Sequence, residues 1–150
     1  MSRLYVLAGR PGNGKTEYLN RLKDGSPQTI RMVSALDFSS HEVLVRELYD
    51  IVQEDDCRTI AIDDYEVKLI KSWGAQIIDE EYQKCLSILA GFSDSFDVSV
   101  MVAVGLRREA DEDESSYCDI ANLRSSAVAE EADRILFIKQ GRVKESENPG

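Results

Sequence analysis

The chain has 150 residues, with 28 acidic side chains against 18 Lys plus Arg and a formal net charge of −10. With 43% hydrophobic and 31% charged residues it has the balance of one globular domain, residues 1–150, with enough apolar mass for a real core. No apolar run approaches the ~18 residues of a membrane span, so no membrane partner is expected. The acidity excludes a protein that grips DNA through a broad basic surface, and any polyanion must be held at a local site.

Short apolar runs alternate with helix-period segments along the chain. Leu4 to Ala8 is an apolar run of strand length, too short for an export signal, and predicts a cytoplasmic protein. Residues 15–23 read as a helix with Tyr18, Leu19 and Leu22 on one face, broken at Gly25-Ser26-Pro27. Residues 29–34 form a weaker strand. Ser39 stands three residues before Glu42 in capping-box spacing, ahead of Leu44, Leu48, Ile51 and Val52 at helical spacing. Residues 58–62 are a strand run ending in Asp63-Asp64. A helix beginning near Gly74 presents Ile78, Tyr82, Cys85, Leu86 and Leu89 on one face. Residues 98–104 are a β-branched strand, and residues 109–117 fit neither period, so that residues 106–118 read as a flexible acidic loop. Residues 135–138 are the fifth strand, and residues 139–145 suggest a hairpin turning at Gln140-Gly141. Five apolar strands alternating with helices predict an α/β fold with a mostly parallel sheet covered on both faces.

The cysteines, Cys57, Cys85 and Cys118, are scattered, and His41 is the single histidine. That set cannot make a zinc site of about four N/S ligands, and reduced thiols are expected.

The chemistry concentrates in Gly9-Arg10-Pro11-Gly12-Asn13-Gly14-Lys15-Thr16, which satisfies G-x-x-x-x-G-K-[ST] between a strand and a helix. Glycines there let backbone N–H groups turn inward around phosphate oxygens, and the helix N-terminus adds partial positive charge. Lys15 is expected on the β- and γ-phosphates and Thr16 on Mg²⁺. Asp63, at the end of a hydrophobic strand, supplies the second half of such a site and would hold the magnesium through a water. Such a cradle holds a polyanion without a basic surface.

The cradle sequence GRPGNGKT resembles that of the hexameric replicative helicases of DnaB type, where Arg-Pro commonly fills the second and third positions. The segment Leu123-Arg124-Ser125-Ser126-Ala127-Val128-Ala129-Glu130-Glu131-Ala132-Asp133-Arg134-Ile135-Leu136-Phe137-Ile138 is similar to that family's Leu-Arg-x-Ser-x-x-Ile-x-x-x-Ala-Asp-x-x-Leu-Phe-Ile. The resemblance implies a P-loop NTPase of RecA-like fold, with Mg-ATP between neighbouring subunits of a homo-oligomer. It also implies Asp37 in the place of the catalytic glutamate, with Asp64 a rival base as in other P-loop ATPases. In the family an arginine finger reaches into the next subunit's ATP, and Lys139 and Arg142 lie in the corresponding region. Tyr65 matches the family's Asp-Tyr if Asp64 is an insertion; for it and for Trp73, base stacking and packing are both open.

The departures are specific. The family's core is longer and carries a primase-interacting domain. Its fourth strand ends in a polar γ-phosphate sensor, usually glutamine, where this chain has Gly105. Its next loop holds single-stranded DNA with basic residues, whereas here Arg107-Arg108 is followed by five acids in residues 109–114. Weak or absent DNA binding by the isolated chain is expected. Three functions follow as expectations: a slow helicase-like ATPase of DNA replication or recombination, a non-catalytic ATP-binding modulator or loader of a helicase ring, and a small nucleoside kinase resembling thymidine kinase, with Arg107 and Arg108 as lid cations.

Overall fold

The computed structural model describes residues 3–9, 14–25, 29–35, 38, 40–54, 57–63, 65, 79–105 and 131–146. In chain order these form β1 (Leu4–Ala8), α1 (Lys15–Gly25), β2 (Ile30–Ser34), α2 (His41–Glu54), β3 (Thr59–Asp63), α3 (Asp79–Phe96), β4 (Ser99–Val104), β5 (Arg134–Lys139) and β6 (Arg142–Ser146). The strands make one sheet in the order β2-β3-β4-β1-β5-β6. The first five run parallel and β6 returns antiparallel to β5. The expected five-stranded sheet is therefore six-stranded, because the second arm of the hairpin joins it.

Position in the sheet explains strand composition. β4 is central, covered on both faces, and all six of its residues are buried, which is why it reads as an unbroken apolar run. β2 lies at an edge and carries the exposed Arg31. Alternate residues of β1 feed two separate cores. Leu4, Val6 and Ala8 face Leu44, Leu48 and Ile51 of α2 and Leu86, Leu89 and Phe92 of α3. Leu7 faces the other way, with Leu19 of α1, Ala61, Met101 and Ala103. Each fully buried Leu on these helices contributes about 2 kcal/mol of transfer free energy.

The chain leaves β1 over the α1 face and travels to the β2 edge, then returns through β3 to β4 over the opposite face. Reversing the direction of travel requires changing face if every crossover keeps the same hand. The reversal makes the carboxyl ends of β1 and β4 a switch point, the usual ligand crevice of an open α/β sheet.

Local chemistry fixes the element ends. α2 is capped by Ser40, whose Oγ accepts the Val43 N–H at 3.3 Å; Ser39 lies outside the described residues. α3 ends with Asp97 at φ 53° and a Val98 N–H to Ser93 carbonyl bond of 3.2 Å, a Schellman closure built without glycine. The Ser93 hydroxyl donates to the Val98 carbonyl at 2.5 Å and accepts the Arg3 N–H at 2.9 Å, tying that closure to the start of β1. Gln140 and Gly141, at φ 51° and 79°, make the two-residue turn between β5 and β6, with Lys139 opposite Arg142. Positive φ at both positions is the geometry that suits a twisted hairpin.

Candidate functional site

The carboxyl ends of β1, β3 and β4 converge on the N-terminus of α1. Gly9 follows β1, and its N–H donates to the Val104 carbonyl at the end of β4, 3.1 Å away. Gly14 precedes α1 with φ 94°, a conformation for which glycine is the natural residue. At the start of α1 the Tyr18 N–H donates to the Gly14 carbonyl at 2.9 Å. The first-turn amides of a helix point away from its body, the arrangement that lets a helix N-terminus accept an anion.

Lys15 folds back over this end of the sheet. Its ammonium donates to the Gly9 carbonyl at 2.9 Å and the Val104 carbonyl at 3.2 Å. Thr16 turns the other way and donates from Oγ1 to Oδ2 of Asp63 at 2.8 Å. The two residues are 47 positions apart in sequence, and β4 separates β3 from β1. A cation, a hydroxyl and a carboxylate thus meet at the switch point.

The hairpin closes one side. A Cβ on Gly9 would lie 2.7 Å from Cγ2 and 3.0 Å from the carbonyl of Ile138, so only glycine fits there without movement. A Cβ on Gly14 would sit 3.5 Å from the Gly141 Cα. The Gln140-Gly141 turn therefore packs against the same chain's glycine-rich segment, and the exposed Arg142 flanks that turn.

Of the candidate residues, the fold brings Gly9, Gly14, Lys15, Thr16 and Asp63 together. Arg10, Pro11, Gly12 and Asn13 lie outside the described residues, as do both candidate bases, Asp37 and Asp64, and Trp73, Arg107, Arg108 and Arg124. Gly105 follows the last residue of β4, and the main-chain carbonyl of Val104 before it accepts from Lys15. Tyr65 is fully buried, so base stacking on it is excluded and packing is its role.

Two relationships escaped the sequence. Tyr65 Oη and His41 Nε2 are 2.6 Å apart, with rings edge to face at a centroid distance of 5.7 Å. Burial holds the His41 imidazole down at about 4, so it is neutral near pH 7. This pair ties the start of α2 to the chain just beyond Asp63. The second relationship involves Asp133. Its Oδ2 accepts the Leu4 N–H at 2.8 Å, and its own N–H donates to the Leu4 carbonyl at 2.8 Å. Asp133 thereby clamps the starts of β1 and β5, at the end of the sheet away from Lys15. Among the described residues, no helix is long and apolar enough to cross a membrane. No protein-family model matches the chain, and no curated protein matches it.

Proposed function

We propose that this chain is a P-loop ATPase of RecA-like architecture that binds Mg-ATP at the N-terminus of α1 and hydrolyses it slowly. The observation that carries this reading is the 2.8 Å hydrogen bond from Thr16 to Asp63. It joins the last residue of the glycine-rich segment to a strand-end carboxylate, the two groups that a magnesium-nucleotide site needs side by side. Hydroxyl and carboxylate oxygens are hard donors of the kind magnesium prefers, so the residues present fit the ion. Thr16 would hold it directly and Asp63 through a water, and the ion would offset the charge of the phosphate chain.

The protein's own groups do the rest. Lys15 is held by two main-chain carbonyls, and it exchanges them for β- and γ-phosphate oxygens when nucleotide enters. The amides at the start of α1 bind and orient the phosphates, and the reaction gains mainly from positioning and charge stabilisation. Asp37 or Asp64 orients the attacking water as base, and Arg142 acts on the phosphate of a neighbouring subunit. Slow turnover is supported by the end of β4, where a carbonyl and then Gly105 stand in place of a side chain able to sense the γ-phosphate.

The resemblance of residues 9–16 and 123–138 to DnaB-type helicases supports a reduced helicase-like role in DNA replication or recombination, in the cytoplasm. The run of acids in residues 109–114 favours association with a helicase ring, as an ATPase or a modulator, over translocation along DNA by this chain alone. A steady-state phosphate-release assay with and without single-stranded DNA tests this, with nucleosides included in parallel. Slow ATP-dependent release, indifferent to DNA, is expected. Strong stimulation by DNA identifies a motor instead, and phosphorylated nucleoside identifies a kinase.

A further inference from the structure

Asp63 stands where β3 is held on one side only. It pairs with Ser34 of the edge strand β2, whereas the pairing of β3 with the central β4 stops at Ile62. The pleat sets the direction of its side chain. Ile60 and Ile62 are buried with α2 and α3, Ala61 is buried with Leu19 of α1, and Asp63 follows Ala61 on the α1 side, where Thr16 meets it. The same alternation, carried on, would bring Tyr65 to the α1 side as well. Tyr65 is instead fully buried in the core under α2 and α3. The pleat of β3 therefore ends at Asp63, and the next described residue is anchored on the opposite face.

The two chains that run on from the Ser34–Asp63 pair are joined again a few residues later. β2 leads to α2, whose first residue is His41, and β3 leads to Tyr65. Tyr65 Oη and His41 Nε2 are 2.6 Å apart, with the rings edge to face. Both side chains are buried, and a hydrogen bond shielded from water is strong and directional. We propose that His41 and Tyr65 are positioning residues for the magnesium site, their bond closing the ends of β2, α2 and β3 into a ring that holds the Asp63 carboxylate opposite Thr16. The proposal rests on the magnesium-nucleotide reading of that site. Both residues act through the main chain of Asp63, from the other face of the sheet. Groups that stand behind a metal's ligands and orient them commonly matter to metal affinity by about tenfold or more.

The test is calorimetric titration of the full chain with ATP, in buffer with magnesium and in buffer with EDTA. Tyr65→Phe keeps the ring and removes only Oη. His41→Leu keeps an apolar side chain in the seat and removes Nε2, and His41→Gln returns a polar atom at similar reach. Tyr65→Phe and His41→Leu should each weaken binding about tenfold with magnesium and less than about twofold with EDTA. The double variant should lose no more than either alone, as two ends of one bond do. His41→Gln should stand closer to wild type than His41→Leu. A contact that only stabilises the core would lower the melting temperature and leave both affinities unchanged, and that result would overturn the proposal. Equal losses in the two buffers would overturn it too, since the fault would then lie with the phosphates and not with the metal. A wild type that binds ATP no better with magnesium than with EDTA would overturn the magnesium reading and the proposal together. A magnesium-dependent wild type matched by both variants would overturn the proposal alone.

Discussion

The Thr16 hydroxyl donates to the Asp63 carboxylate across 2.8 Å, from the first turn of one helix to the end of a strand two places along the sheet from β1. The contact is at the surface and holds little of the fold together, because Thr16 is exposed. Its removal therefore reads on ligand binding more than on stability. Thr16→Val and Asp63→Asn should each leave the melting temperature within a few degrees of wild type. Each should weaken nucleotide binding by about tenfold with magnesium present, and much less with EDTA. Calorimetric titration in both buffers checks this.

Gly9 is a packing requirement. In Gly9→Ala the new methyl meets the Ile138 carbonyl at 3.0 Å as well as the movable Cγ2 at 2.7 Å. Overpacking of this kind costs about 1–3 kcal/mol. The hairpin must shift away from the Lys15 end of the sheet, so a lower urea midpoint and weaker nucleotide binding should appear together.

His41 gives a pH dependence with a definite sign. Its folded value of about 4 lies below the 6.5 of the unfolded chain, because burial penalises the imidazolium. Above pH 6.5 both states are neutral and the group contributes nothing. Between 6.5 and about 4 only the unfolded chain takes the proton, so stability falls with acidification, by about 3 kcal/mol in all, and levels off below. As the single histidine, its ring proton resonance is unambiguous. An NMR titration should give a midpoint near 4 in place of 6.5.

Asp133 separates stability from function. Removing its carboxylate strips the Leu4 N–H of a charged acceptor, which costs about 1–2 kcal/mol. Asp133→Ala should lower the denaturation midpoint and leave nucleotide affinity at the other end of the sheet unchanged.

These residues also mark how far the sequence could be read. β1 was legible to the residue, because an unbroken apolar run bounded by Gly9 has one sensible reading. The β5–β6 turn was legible from Gln140-Gly141, but not that β6 would extend the sheet. Strand order carries no local signal: nothing near Thr16 announces Asp63, 47 positions away, except the chemistry a phosphate site demands. Local spacing did not point to Ser40 as an α2 cap, because Ser39 is the serine at capping-box distance from Glu42, and the Ser40 bond to the Val43 N–H is seen only in the fold. His41 read as an isolated histidine because its partner, Tyr65, lies in a different element. Asp133 drew notice through its resemblance to a family segment, and the structure gives it a mechanical part, holding two strands together.

The central claim is that Lys15 and the start of α1 hold the phosphates of Mg-ATP. Isothermal titration of the full chain with Mg-ATP, set beside Lys15→Ala, tests it most directly. In the variant the Gly9 and Val104 carbonyls lose a donor that sits at the surface end of the sheet, and circular dichroism should report an intact fold. Saturable binding by wild type, weakened at least about a hundredfold in Lys15→Ala, is the predicted result. Equal affinity in the two proteins would contradict the account.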